Sequence, residues 1–245
     1  MSTSHAATTA PAVRVATLPG VFRPRSDARL LSAVMRDHGL ARGARALDLF
    51  TGSGVLAVAA ALAGATQVTA VDLSRRAVLS ARLNAWRNGV GARVSVRRGD
   101  VFAPVAGERF DLIVANPPYL PGEERLPRGG AARAWEGGAD GRLLVDRLCD
   151  GAAGHLTPDG RLLFVQSSLT GERESRERLR AAGLRPRLLA RERGPLGPLA
   201  RERASELRAL GRLGPGDTEE LLVFLAEPAG AEAAQTEPAR TEPAR

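Results

Sequence analysis

The sequence is poor in the residues that staple or metallate a small protein. Its single cysteine, Cys149, excludes an internal disulfide and a cysteine-cluster zinc site, and three histidines, at 5, 38 and 155, are too scattered to read as a metal triad, so no metal is expected. Lysine is missing altogether. All 35 cationic residues are arginine, set against 27 acids, and isoleucine occurs once, as Ile113. Together with abundant Ala, Gly and Pro this is the composition of GC-rich coding sequence, in which arginine fills ordinary solvated surface. The net charge of +8 therefore does not by itself name a nucleic-acid partner. No run approaches the ~18 consecutive apolar residues of a membrane helix, and the opening MSTSHAATTAP has neither a charged nor an apolar leader region. A cytoplasmic chain with no membrane partner is expected.

What is present suits one core: 245 residues, 44% apolar and 25% charged. Residues 1–12 are small and polar, and 227–245 carry a tandem TEPAR repeat with nothing to bury, so both are expected to be disordered around a single domain over 13–226. Within it, strand-like runs RALDLF (45–50), QVTAVDL (67–73), RVSVRRGD (93–100), FDLIVAN (110–116) and RLLFVQSSL (161–169) alternate with helix-like stretches, the pattern of a doubly wound parallel sheet. Ser74 stands where an N-cap belongs before RRAVLSARLNAWRN, in which Leu79, Leu83 and Trp86 recur at helical spacing, and Gly89 ends it. Ser26 or Asp27 opens ARLLSAVMRDH, which Gly39 closes. In 172–183, Glu172 with Arg176 and Glu174 with Arg178 read as pairs on a solvated helix face. The stretch 184–213 has a mixed pattern, and EELLVFLAE (219–227) reads as a strand inside the sheet, with an antiparallel direction open to it. Cys149 is expected in the core of a helix, and His155 near that helix's C-terminus.

The chemistry concentrates where strands end. RALDLF runs through Thr51, Gly52, Ser53 and Gly54 into VLAVAAALAG, a glycine turn that permits close backbone approach and a helix N-terminus that offers N–H groups to an anion. Asp72 closes the next strand, where the carboxylate of an α/β nucleotide fold accepts ribose hydroxyls, and Asp100 follows the third. Ligands of open α/β sheets bind outside the carboxyl ends of the strands, so Asp48, Gly52, Asp72 and Asp100 are expected around one crevice. The fourth strand ends in Asn116, Pro117, Pro118 and Tyr119. Two prolines fix the backbone and remove two donors, leaving carbonyl acceptors beside the Asn116 oxygen. That corner can accept hydrogen bonds from a planar NH2 group and aim its delocalised lone pair at an electrophilic carbon, while Tyr119 lies over the flat target.

In order, DLFTGSG, AVDLS, GD and NPPY resemble the class I S-adenosylmethionine-dependent methyltransferases of the N-methylating branch, over roughly residues 15–226. ARAWEGGADGRLLVDRL (132–148), VFRPRSD (21–27) and GDTEELLVFLA (216–226) resemble the HemK-like protein N5-glutamine methyltransferases, in their short eukaryotic and archaeal form. The resemblance implies a Rossmann-like fold with a seven-stranded, mostly parallel sheet and helices on both faces, S-adenosyl-L-methionine as cofactor, and a release factor or similar protein as methyl acceptor. It places Asp48, Gly52, Gly54, Asp72, Asp100, Val101 and Asn116 around the cofactor, and Asn116, Pro117, Pro118 and Tyr119 around the target amide. Eukaryotic members act with a small zinc-binding activator subunit, which nothing in this sequence assigns. Phe50 stands in place of the first loop glycine, Ala28 where Thr often follows the acid, and the helical N-terminal domain of bacterial members is missing. NPPY equally serves adenine N6 or guanine N2 methylation of DNA or RNA, although no recognition domain and no basic stretch interleaved with aromatics is visible. A small-molecule N-methyltransferase is the third reading.

Overall fold

A computed structural model describes residues 13–122, 135 and 137–230; the expectations for 1–12 and for most of the TEPAR tail lie outside them. Seven strands, β1 (Arg45–Leu49), β2 (Gln67–Asp72), β3 (Val94–Arg98), β4 (Phe110–Ala115), β5 (Leu156–Ser167), β6 (Leu184–Pro195) and β7 (Thr218–Pro228), form one sheet in the order β3-β2-β1-β4-β5-β7-β6. β1 to β5 are parallel, and β7 lies antiparallel between β5 and β6. The run at 219–227 is thus a central antiparallel strand that continues to Pro228, two residues into the segment read as tail. The mixed stretch after 184 hides β6, whose alternation is blurred by Arg and Glu at an exposed sheet edge.

Alternate residues of each central strand feed opposite faces. Leu112, Val114, Leu163, Val165 and Val223 pack against α1 (Ser26–Asp37), α2 (Val55–Leu62) and α3 (Arg75–Arg87). Leu47, Ile113, Phe164 and Phe224 pack against α4 (Leu143–Ala152) and α5 (Glu172–Ala181). Phe164 and Phe224 are register partners stacked at 5.2 Å, a pairing that adds about 0.5–1.5 kcal/mol to their burial and pins β7. A third, smaller cluster joins α6 (Pro198–Glu202) and α7 (Ala204–Ala209) to Leu120 and Leu169, covering one end of the sheet's carboxyl edge.

Three local expectations need correction. Ser74 caps α3 as read, accepting from the Ala77 N–H, but the buried face of that helix is Ala77, Val78, Ser80, Ala81, Asn84 and Ala85. Leu79 and Trp86 face outward, 58% and 74% exposed. Small residues are what the close approach to the sheet demands, and Asn84 is bound there by the chain around Ala16 and by the Ser53 carbonyl. Neither Ser26 nor Asp27 is the N-cap of α1; both lie in its first turn. On α5, Glu172 does pair with Arg176, but Glu174 turns to Arg212 while Arg178 reaches Asp146 and Asp150.

Candidate active site

A cavity of about 770 Å3 opens along the carboxyl ends of β1, β2, β3 and β4, and its wall includes Gly52, Asp72, Asp100, Val101 and the whole Asn116–Tyr119 corner. At its first end, the turn after β1 is held by carboxylates. Asp72 accepts the N–H groups of Gly52 (2.9 Å) and Ser74 (2.8 Å), and Asp48 accepts from Thr51 Oγ1 (2.5 Å) and the Ala57 N–H (2.9 Å). Gly54 is forced twice over: its φ is +81°, and a Cβ there would lie 2.8 Å from Ala81 on α3. Neither Gly54 nor Asp48 is on the cavity wall. Asp48 is fully buried behind the turn, one carboxylate oxygen has no partner, and burial pushes its pKa up to about 7. Both residues, which the resemblance places around the cofactor, thus lie behind the turn, not on the cavity wall.

Phe50 lines the same cavity with φ +59° and packs on the second core cluster, so the ring sits at a backbone position that glycine would occupy without strain. Val101 also has positive φ, +46°. Asp100 is bridged by both guanidinium nitrogens of Arg147, at 3.1 and 2.8 Å, in an exposed pair at the cavity rim.

At the other end stands Asp27, which the sequence offers as a helix opener and within VFRPRSD but does not mark as a site residue. Asp27, 7% exposed in the first turn of α1, accepts from Asn116 Nδ2 (2.9 Å) and Tyr119 Oη (3.2 Å). A carboxylate on Nδ2 fixes the amide's orientation, and the Asn116 oxygen is left as an acceptor. Burial first, then the Asp27 and Glu219 charges, drive the Tyr119 phenol well above its ordinary pKa, so at neutral pH it is a donor and no base. Ala28, also on the wall, gives its N–H to Asp27 (2.7 Å), which is what this position contributes without a hydroxyl.

The corner is braced from outside. The Leu120 N–H bonds the Trp135 carbonyl, Gly137 bonds Leu120, and Gly122 bonds Gly138, each at 2.9 Å. A Cβ at Gly137 would lie 2.8 Å from the Pro118 carbonyl and one at Gly141 2.3 Å from the Tyr119 carbonyl, so only glycines allow this approach. The Pro118 carbonyl is thus turned to the brace, against the expectation that it faces the target as an acceptor. Arg142 anchors the brace, 5% exposed, through Thr170 O (2.5 Å), Ser175 Oγ (3.2 Å) and Asp146 (2.6 Å). Glu219, on the wall beside Tyr119, accepts from Ser167 Oγ (2.5 Å) and the Gly197 N–H (2.9 Å), tying the α6–α7 segment to β5. Asp27 and Arg142 are not marked as site residues in the sequence because a charge gives no sign of its own burial, and Glu219 because its partners are distant in the chain; the glycine spacing of EGGADGR was the one usable signal. Cys149 is buried in α4, its thiol pushed up to about 12 by burial, and His155 follows α4 stacked on Phe102.

A family model described as the methyltransferase small domain matches residues 12–129. A putative protein N5-glutamine methyltransferase of Methanocaldococcus jannaschii is 34% identical over 182 residues, covering 74% of this chain and 89% of the relative. A ribosomal protein uL3 glutamine methyltransferase of Bradyrhizobium diazoefficiens is 46% identical over 126 residues, and a release factor glutamine methyltransferase of Bordetella pertussis 39% over 175. Those matches cover 49% and 68% of this chain but only 39% and 64% of the bacterial relatives. In fold the chain is similar to the E. cuniculi Mtq2–Trm112 complex, described as responsible for methylation of the eRF1 termination factor (TM-score 0.58, 22% identity, 85% of this chain and 99% of that one). It is also similar to a T. thermophilus 16S rRNA N2 methyltransferase, RsmC, in complex with AdoMet and guanosine (TM-score 0.56, 22% identity, 86% and 46%). With the archaeal relative aligned over nearly its full length, the chain belongs to the family of protein N5-glutamine methyltransferases.

Proposed function

We propose that the protein methylates the side-chain amide nitrogen of a glutamine in a peptide chain release factor or a similar protein of the translation apparatus, in the cytoplasm, using S-adenosyl-L-methionine. The observation that carries this reading is the Asp27–Asn116–Tyr119 cluster, which presents an oriented amide oxygen to the same cavity that holds Gly52, Asp72 and Asp100.

The residues present fit the cofactor. The cavity runs past the glycine turn, Asp72 ends β2 where a ribose diol would lie, and Ser53 Oγ is buried on the wall without a partner. Gly52, Asp72, Asp100 and Val101 would hold it, with Asp48 and Gly54 shaping the turn. When bound, it supplies a methyl group already activated on a sulfonium. The protein's task is then orientation. The Asn116 oxygen and the Pro117 carbonyl take the two N–H bonds of the target amide, which lets its nitrogen pyramidalise toward the methyl donor, and Tyr119 stays protonated beside it. Positive charge grows on that nitrogen as the N–C bond forms and the C–S bond to the leaving S-adenosylhomocysteine breaks; the Asp27 carboxylate behind Asn116 favours that charge, and the acidic N-methylated amide then gives its extra proton to solvent.

The test is transfer of labelled methyl to a peptide containing a Gly-Gly-Gln loop, read by peptide mass analysis. A 14 Da gain on the glutamine that vanishes in Asn116→Ala, with S-adenosylhomocysteine affinity kept within a few fold, is expected. Label entering DNA, RNA or small molecules instead of the peptide overturns the acceptor assignment.

A further inference from the structure

The chain's charge is unevenly placed. Residues 13–99, which build α1 to α3 and β1 to β3, carry 14 arginines and 4 acids, a net of +10, while the remainder of the chain nets −2. Two of those four acids, Asp27 and Asp48, are buried, so the surface of this half is more positive still.

Four of the fourteen arginines lie on α3. Its exposed face holds Arg75, Arg76, Arg82 and Arg87 together with Leu79 and Trp86, and it holds no acid. Among the described residues none of these four arginines forms an ion pair. Arg45, Arg97, Arg161, Arg176, Arg191 and Arg208, by contrast, are bridged to carboxylates. On α3, Arg76 and Arg82 bond the Pro19 and Val96 carbonyls, each through a single terminal nitrogen. Leu79 and Trp86, 58% and 74% exposed, share this face with the arginines, the indole one residue from Arg87 and one helical turn from Arg82.

We propose that this face of α3 binds single-stranded RNA. Guanidinium groups pair with phosphates in the bidentate manner that arginine favours, and the free indole offers a plane on which one unstacked base rests. An acidic protein would satisfy the charge but leave the indole without a flat partner. A duplex would satisfy the charge while keeping its bases stacked on one another. The proposal is independent of the glutamine reading: Arg75 borders the cavity, but Arg76, Leu79, Arg82, Trp86 and Arg87 lie outside its wall, and the test needs no methyl transfer.

The experiment is fluorescence anisotropy of the full chain with a 5′-fluorescein 12-nucleotide RNA of mixed sequence, between 50 and 300 mM salt. Saturable binding that weakens with salt at a slope of roughly −3 is expected for four phosphate contacts on a single strand. Trp86→Ala should weaken binding roughly 5-fold or more, the range seen for loss of one base–aromatic stack, and Trp86→Phe should restore most of it. Arg87→Ala should lower the salt slope by roughly 0.7. Both positions are exposed, so melting temperature and S-adenosylhomocysteine affinity should be unchanged. Three results would each overturn the proposal: no RNA binding at 100 mM salt, a Trp86→Ala affinity within twofold of wild type, or equal competition by polyglutamate or by duplex RNA of the same length. Failure of the Gly-Gly-Gln peptide as acceptor, with these RNA results intact, would overturn the glutamine reading alone.

Discussion

Removing the Asp27 carboxylate tests how the site controls its acceptor. In the native site Asn116 Nδ2 lies 2.9 Å from Asp27. A flipped Asn116 would set its oxygen against a carboxylate and forfeit a charge-assisted hydrogen bond worth ~1.5–3 kcal/mol, so one orientation prevails. Asp27→Ala erases that preference, and the productive orientation falls to roughly half of the population, a minor loss. The larger loss is electrostatic. One hydrogen bond to Asn116, its amide and a second hydrogen bond put the acceptor nitrogen ~7 Å from the carboxylate, where a unit charge at an effective dielectric of ~20 is worth roughly 2.4 kcal/mol. Together they predict a fall in kcat of about 100-fold, with S-adenosylhomocysteine affinity by calorimetry within a few fold and a modest change in acceptor KM. Asp27→Asn retains an acceptor for Asn116 and Tyr119 without the charge, and should fall between the two. A kcat for Asp27→Ala within threefold of wild type, in folded protein, would refute the electrostatic reasoning and leave at most the roughly twofold loss of orientation.

Substitutions at three further positions probe the glycine turn and its surroundings. Asp72→Ala should weaken S-adenosylhomocysteine roughly 10- to 100-fold by calorimetry, as expected when hydrogen bonds to a charged acceptor are lost; unchanged affinity would contradict the ribose assignment. Asp48 has its folded pKa raised from 3.8 to about 7, so the stability it contributes is complete below pH 4 and is lost as pH rises through 7, on the order of 4 kcal/mol in all. Chemical denaturation should show roughly 3 kcal/mol of that decline between pH 5 and pH 8 in wild type and not in Asp48→Asn, and parallel profiles would be incompatible with a buried titrating carboxylate. At Phe50, where φ is +59°, Gly should be more stable than Ala by about 1 kcal/mol, reversing the usual ranking; the ordinary order in urea melts would mean that the backbone relaxes there.

The alternation of strands and helices was legible because buried parallel strands are continuous apolar runs, and Ser74 and Gly89 mark α3 by backbone chemistry that needs no tertiary context. The glycine turn, Asp72, Asp100 and the Asn-Pro-Pro-Tyr corner were legible for the same reason: a parallel sheet places the ends of its strands together. What failed was the choice of face. Leu79, Leu83 and Trp86 form the more apolar stripe of α3, yet alanines and Asn84 fit the narrow gap above β2 and β3, so size overrode hydrophobicity. Asp27 was invisible for a different reason, since its partners lie 89 and 92 residues away and no local pattern connects them. β6 was lost because an edge strand exposed to solvent carries charges where a central strand carries valines.

The place of β7 has a consequence for the order in which a ribosome could let this molecule close. β7 is translated after both of its neighbours yet pairs with each of them, along Leu162–Ser167 on one side and Leu184–Pro195 on the other. Until residue 228 clears the exit tunnel, β6 has no ladder to join and the outer flank of β5 stands open, with Phe164 lacking its ring partner. The glycine turn and the Asn116 corner belong to strands made more than 100 residues earlier, so a nascent chain can assemble the cofactor half of its cavity while the Glu219 tie, which secures the acceptor end, does not yet exist.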